Sequence, residues 1–228
     1  MSFSIVIPSR NTDNLQKCVA AIRKAGETAR VVVIDDGLVC SRVLDLVGPI
    51  LFAVGRKPFS FAANINVGIR AAGRDDVLLL NDDALLETPG GFTDISIIRA
   101  QPDGYGILAA STNVTGYPLQ QRRPCPHQRV VRELPIVAFV AVLILRRTID
   151  AVGLLDERFV TYGGEDVDYC LRVREAGLKV GVSDFCFVDH SKLPSTFRAV
   201  HPKNSAPGDI TESNRLGREK WGNEWPHR

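Results

Sequence analysis

The sequence predicts an α/β protein with a mostly parallel central sheet flanked by helices. Short apolar or β-branched runs at residues 3–7, 31–34, 50–54 and 77–80 alternate with amphipathic stretches through the first half of the chain. Alternation at that spacing favours parallel strands joined by right-handed crossovers. Three of these runs end in polar groups: Pro8-Ser9-Arg10-Asn11, Asp35-Asp36-Gly37 and Asn81-Asp82-Asp83. Ligands of parallel sheets bind beyond the carboxyl ends of the strands, so these three endings are expected to converge.

Each element has its own signal. The strand at 3–7 ends at Pro8, and Asn11, Thr12 and Asp13 can cap a helix whose Leu15, Val19 and Ile22 share one face. Gly26 closes it. Val31-Val32-Val33-Ile34 is a continuous apolar run of the kind covered on both faces. A second helix is expected over 39–46, then a strand over 50–54. A helix follows over 61–72, with Ala62, Ile65 and Ile69 inward and Gly73 as its stop. The fourth strand covers 77–80. Residues 102–132, rich in Pro, Gly, Thr, Asn and Arg, read as loops and short edge strands. Residues 137–145 read as a buried strand ending on Arg146-Arg147, and 148–152 as a short helix. An amphipathic helix is expected over 167–175, with Val167, Cys170 and Leu171 on one face and Gly177 at its end. A strand region spans 180–190, and 213–225 reads as a helix that packs back on the domain.

Composition bounds the function. The 228 residues are 45% hydrophobic, enough for a full core, and the net charge of +2 calls for no nucleic acid. Basic residues between Arg122 and Arg132 form either an anion-binding patch or a solvated loop face. Cys18, Cys40, Cys125, Cys170 and Cys186 show no metal-finger or redox spacing, which suits a reduced compartment. The chain opens on a strand with no basic-then-apolar leader, and its longest apolar run, 136–145, is far short of the roughly 20 residues a spanning helix needs. The expectation is a soluble cytoplasmic protein, peripheral to a membrane at most.

Two acidic clusters carry the chemistry. Asn81-Asp82-Asp83 follows a buried-looking strand; adjacent carboxylates there suit a hard cation such as Mg²⁺ or Mn²⁺, and equally suit a plain turn. Gly163-Gly164-Glu165-Asp166-Val167-Asp168 packs three carboxylates between a glycine pair and a helix start. These acids either answer the helix dipole or include a general base, with Asp166 the candidate and Glu165 and Asp168 placed to raise its pKa. Asp36, before Gly37, can read a nucleobase or ribose, or simply turn the chain. His190 can join a metal or be a satisfied histidine. A glycoside hydrolase also uses paired carboxylates but needs no phosphate site. A Walker-type phosphoryl-transfer loop is absent from the sequence.

Together these motifs resemble the family-two inverting glycosyltransferases of GT-A fold, particularly bacterial rhamnosyltransferase-like members. Residues Ser4 to Asn11 resemble the opening strand and nucleotide loop, Val33-Ile34-Asp35-Asp36-Gly37 the second-strand signature, and Leu80-Asn81-Asp82-Asp83 the DXD element with Asn81 in place of its first acid. The run Phe59 to Gly68, including Ser60 and Asn66, is similar to the helix beneath the donor diphosphate. Leu154 to Phe159 and then Gly164 to Asp168 are similar to the acceptor-side acidic motif, although Val152-Gly153-Leu154-Leu155-Asp156 replaces the usual paired glycines and phenylalanine. Val188-Asp189-His190 resembles the late histidine, and Asn214 to Gly222 a terminal segment. At 228 residues the chain is short for the family, and the C-terminal helices that many relatives use for membranes or acceptors are not expected in it.

The resemblance implies a single GT-A domain. Its nucleotide-sugar half covers about residues 1–100, its acceptor half about 101–195 and its tail 196–228. It implies donor contacts from Pro8, Ser9, Arg10, Asp36, Ser60, Asn66, Asn81 and Asp82, metal ligation of Mn²⁺ or Mg²⁺ by Asp83 and His190, and catalysis by Asp166 with Glu165. The donor would be a UDP-, dTDP- or GDP-sugar, and the acceptor a glycan, glycolipid, protein or nucleic acid. Two alternatives stand beside it: a sugar-1-phosphate nucleotidyltransferase, and a catalytically silent nucleotide-sugar-binding module. Trp221 and Trp225 are candidates for a homodimer interface or for packing on the core.

Overall fold

The computed structural model describes residues 2–38, 46–98, 104–122, 129–160, 163–195 and 209–226. Strands β1 (Phe3–Ser9), β2 (Arg30–Asp35), β3 (Ile50–Val54) and β4 (Asp76–Leu80) alternate with helices α1 (Thr12–Lys24) and α2 (Phe61–Ala71). They are followed by β5 (Leu85–Leu86), α3 (Gly91–Ile98), β6 (Tyr105–Thr112), β7 (Val131–Glu133), β8 (Ala141–Ile144), α4 (Arg146–Val152), α5 (Glu165–Glu175), β9 (Lys179–Asp189) and α6 (Asp209–Trp221). The strands form one sheet in the order β3-β2-β1-β4-β8-β6-β9-β5, with β7 also on β9.

The first four strands pair in parallel, as the alternation requires. β8 runs antiparallel to β4 and β6 antiparallel to β8, so β6 and its parallel neighbour β9 point the same way as β1. The carboxyl ends of β1, β2, β4, β6 and β9 therefore share one edge, and the segment entering β8 joins them there. Strand periodicity divides the core: Ile5, Ile7, Val31, Val33, Leu78 and Leu80 face α1 and α3, while Val6, Val32, Ile34, Val77 and Leu79 face α2 and α5. A third small cluster, Phe159, Val167, Leu171 and Trp225, lies between α5 and the tail.

Local chemistry explains the helix starts. The Asn11 carboxamide accepts from Asp13 N–H at 3.0 Å and Asn14 N–H at 3.2 Å, capping α1. Ser60 caps α2 by accepting from Ala63 N–H at 3.4 Å. The start of α3 is held from a distance. Buried Glu27 accepts from the backbone N–H groups of Phe92 and Thr93 at 2.8 and 2.9 Å and from the Thr93 hydroxyl at 2.6 Å.

Several expectations change. β1 continues through Pro8 to Ser9, because Pro8 lies past the last β1–β4 pair, Val6 with Leu79. Residues 102–132 are not only loop and edge: β6 is eight buried residues in the middle of the sheet, between β8 and β9. Conversely, only 141–144 of the expected 137–145 strand pairs in the sheet. Ahead of it the Gln120 side chain brackets Ala138, accepting from its N–H at 2.7 Å and donating to its carbonyl at 3.3 Å. The expected helix at 39–46 lies almost wholly outside the described residues, as do Cys40 and Cys125.

Within the basic stretch, Arg122 and Arg132 both pair with buried Asp184, and Arg129 pairs with Asp94. Those charges are neutralised inside the chain, and Arg123 lies outside the described residues. Cys18, Cys170 and Cys186 are buried free thiols. Among the described residues, no helix is long and apolar enough to cross a membrane.

Candidate active site

The strand ends enclose a cavity of about 570 Å³. Its lining brings together Pro8, Ser9 and Arg10 from the end of β1, Asp36 after β2, Asn81, Asp82 and Asp83 after β4, Glu165 and Asp166 at the start of α5, and His190 after β9. Ten of the twelve sequence-predicted residues thus meet in one space. Ser60 and Asn66 do not line it. Ser60 is occupied as the α2 cap, and buried Asn66 donates to the Leu155 carbonyl at 2.9 Å and Glu157 at 3.0 Å while accepting from Leu155 N–H at 2.9 Å. Asn66 staples α2 to the 155–157 loop.

The two acids after β2 divide their work. Asp35 makes the turn, accepting from the Gly37 and Leu38 N–H groups at 2.7 Å each. Asp36 instead points into the cavity, where Lys57 pairs with its carboxylate and Arg10 stands 4.0 Å away. The turn is thus made by Asp35, which leaves Asp36 lining the cavity. Lys57 had no distinguishing signal in the sequence.

After β4, the Ser9 hydroxyl donates to Asp82 at 2.6 Å. Burial pushes Asp82 up to about 7, opposed by the Ser9 hydrogen bond and reinforced by the Asp83 charge. Asp83 faces His190, with Oδ1 and Nε2 3.0 Å apart. The other ring nitrogen, Nδ1, lies 2.9 Å from the Val114 carbonyl, which can only accept, so Nδ1 carries a proton. In the neutral ring Nε2 then aims a lone pair at a carboxylate. Two electron-rich groups so placed suit a shared cation, a proton or a metal ion. Among the described residues no set of three His, Cys, Asp or Glu side chains gathers around a common point. This donor pair fits a hard cation that takes its remaining ligands from phosphate and water.

The α5 end of the cavity depends on two glycines. Gly163 and Gly164 have φ of 79° and 106°, a region that disfavours other residues. A Cβ on Gly164 would also meet the Phe159 ring at 2.8 Å. The turn places Glu165 and Asp166 at the helix start, where Asp166 accepts from the Val167 N–H at 2.8 Å. Burial raises the pKa of both acids; the Asp166 charge adds to the rise at Glu165, and backbone N–H groups at the helix start oppose it at Asp166. Glu165 Oε2 is buried with no hydrogen-bond partner among the described residues. Asp168 does not act on this pair as expected. It lies on the other side of the helix, fully buried and paired with Arg172 and Lys220.

Sequence reasoning missed the far wall of the cavity: Val114, Thr115, Gly116 and Tyr117 after β6, residues 138–140 before β8, Val160, and Leu193 and Ser195 beyond His190. The polar run after β6 was a legible signal only once β6 itself was recognised as a strand.

Residues 4–89 match the model of the family described as Glycosyl transferase family 2, a span that includes Ser9, Asp36 and Asp83. Residues 4–89 are thus similar to glycosyl transferase family 2 domains. The pre-mycofactocin glycosyltransferase of Mycobacterium tuberculosis is 30% identical over 203 residues, 82% of this chain and 42% of that protein. An uncharacterised protein of Sinorhizobium fredii is 26% identical over 205 residues, 76% of this chain and 23% of that one. The chain spans less than half the length of these curated relatives.

Among solved structures, GalNAc-T7 with UDP, GalNAc and Mn²⁺ superposes with a TM-score of 0.67 at 14% identity, over 96% of this chain and 54% of that one. TarS of S. aureus in complex with UDP-GlcNAc gives 0.67 at 14%, over 96% and 66% of the two chains. The fold is GT-A, as the sequence motifs implied. UTP-bound UGPase from Acinetobacter baumannii also superposes, at 0.55 and 9% identity over 96% and 94%. Fold alone does not separate sugar transfer from nucleotidyl transfer; the family model that matches residues 4–89 is the one described as Glycosyl transferase family 2.

Proposed function

We propose that this cavity binds a nucleotide-diphosphate sugar and transfers its sugar to an acceptor hydroxyl with inversion, Asp166 serving as general base. The observation that supports this most is the presence of the Asp83–His190 pair and the buried Glu165–Asp166 pair in one cavity. One pair suits the charged diphosphate end of such a donor. The other suits removal of a proton from an attacking hydroxyl.

In this reading Asp36 and the Pro8, Ser9 and Arg10 segment seat the nucleoside, with Asn81 and Asp82 beside the ribose and diphosphate. Asp83 and His190 would hold Mn²⁺ or Mg²⁺, which when bound offsets the charge on the diphosphate leaving group. Asp166 accepts the acceptor's proton as that oxygen bonds to the anomeric carbon. The bond from that carbon to the diphosphate oxygen breaks, and its electron pair leaves with the nucleoside diphosphate. A single displacement from the opposite face inverts the anomeric centre. Ser60 and Asn66 contribute by shaping α2 rather than by touching the donor.

UDP-sugars are the first donors to try, since the GalNAc-T7 and TarS structures contain UDP or UDP-GlcNAc. A nucleotidyltransferase would need a basic loop for a triphosphate. The β1 loop offers only Arg10, already 4.0 Å from Asp36. The test is Asp166→Asn: turnover falls by roughly 10²-fold or more, the scale of losing a general base, while donor affinity stays within a few-fold. Retained turnover would remove Asp166 from the role.

A further inference from the structure

The back of the catalytic helix is held by the carboxyl-terminal helix, in a part of the chain beyond the residues 4–89 that match the family model. Asp168 is fully buried there and receives three donors: Arg172 Nε at 2.9 Å, Trp221 Nε1 at 2.9 Å and Lys220 Nζ at 2.6 Å. Two of the three come from α6. Lys220 also bonds Asp156 at 3.0 Å, so one ammonium ties α6 both to α5 and to the loop that leads into it. Beside this knot, Trp225 stacks on Phe159 with ring centroids 5.8 Å apart and planes 10° from parallel. A Cβ on Gly164 would lie 3.2 Å from the Ser213 Cβ, so α6 also backs the glycine turn.

Asp168 shares the first turns of α5 with the cavity-lining Glu165 and Asp166, and its N–H closes a helical hydrogen bond to the Gly164 carbonyl at 2.9 Å. We propose that Lys220 and Trp221 are positioning residues for catalysis: through Asp168 they clamp the first turn of α5, fixing where the Asp166 carboxylate stands in the cavity. This rests on the assignment of Asp166 as the base. Removing a donor from a carboxylate buried this deeply leaves it without that partner, which is strongly destabilising. The α6 donors therefore set the helix start more firmly than apolar packing alone, and a sub-ångström error in a reacting group is costly in rate.

The test follows release of nucleoside diphosphate from a panel of UDP-, dTDP- and GDP-sugars with Mn²⁺, with water or a supplied sugar as acceptor. It compares the wild type with Lys220→Met, Lys220→Arg, Trp221→Phe and Asp166→Asn. Trp221→Phe keeps an aromatic ring but removes the N–H donor together with part of the indole. The clamp predicts that Lys220→Met and Trp221→Phe lower kcat by roughly 10-fold or more, leave donor KM within about twofold, and that Lys220→Arg recovers most of the rate. It also predicts faster hydrogen exchange at the 165–168 amides in both loss variants, a readout that needs no turnover. Unchanged kcat and exchange, equal losses of kcat and donor affinity, or no rescue by Lys220→Arg would overturn it. Full turnover in Asp166→Asn would instead defeat the base assignment. An inactive Asp166→Asn beside a fully active Lys220→Met would defeat the clamp alone.

Discussion

His190 presents Nε2 to Asp83 Oδ1 at 3.0 Å while the Val114 carbonyl lies 2.9 Å from its Nδ1. One carbonyl from the β6 end thus selects which imidazole nitrogen faces the carboxylate from the β4 end. If that pair is the cation site, His190→Ala lowers Mn²⁺ affinity by roughly 10-fold or more, the scale at which even outer partners of metal ligands count. Titration calorimetry with Mn²⁺, in the presence of UDP, reads this directly. Equal affinity in the variant would place the cation elsewhere.

The acids at the start of α5 make stability depend on pH with an unusual sign. Burial raises Glu165 and Asp166 above the ordinary carboxylate range, so the folded chain holds these protons more tightly than the unfolded one. Their contribution to stability is full below the unfolded pKa, roughly 4, and is lost as pH rises through the folded values. Glu165→Gln removes one buried ionisation. It should melt above the wild type at pH 8 and close to it at pH 4, by scanning calorimetry. A wild type that melts higher at pH 8 would contradict the burial argument.

The contact of α2 with β1 is set by a missing methyl. A Cβ on Gly68 would fall 2.2 Å from Val6 Cγ1, and Val6 is fully buried. Alanine gains about 1 kcal/mol in helix propensity, but overpacking a closed core costs about 1–3 kcal/mol. Gly68→Ala should therefore lower Tm by a few degrees. Adding Val6→Ala should give a double variant less destabilised than the sum of the two singles. Strict additivity in thermal melts would mean the two residues do not touch.

Asn66 separates a structural from a ligand-binding reading. Asn66→Ala leaves the Leu155 N–H and carbonyl without these partners, at about 1–3 kcal/mol for each buried group left unsatisfied. Tm should fall clearly, while donor affinity at a temperature where the variant is folded stays within a few-fold. A large loss of donor affinity with little change in Tm would return Asn66 to the donor site.

The parallel half was legible because β1 to β4 are written in apolar or β-branched runs bounded by caps and glycines, signals carried within each element. β6 was not. Gly106, Ala109, Ala110 and Ser111 are weak strand formers, and burial against β8 and β9 holds them in the sheet. α3 was missed for a related reason: its N-terminal cap, Glu27, sits 65 residues before Phe92. The acidic motif was found as a cluster, but its geometry was not. At about 100° per residue, Asp168 stands some 200° around the helix from Asp166, so their different surroundings follow from helix periodicity. Of the two cations that pair with Asp168, Arg172 lies one turn on, but Lys220 is too far along the chain for any local pattern to name.

The most direct test is thermal stabilisation by UDP-, dTDP- and GDP-sugars, measured with and without Mn²⁺ in the wild type and in Asp83→Ala. Binding to the folded state raises Tm by mass action. The account predicts a shift with at least one nucleotide sugar that requires Mn²⁺ and disappears in Asp83→Ala. A folded wild type that shifts with no nucleotide sugar, or equally well without metal, would contradict it.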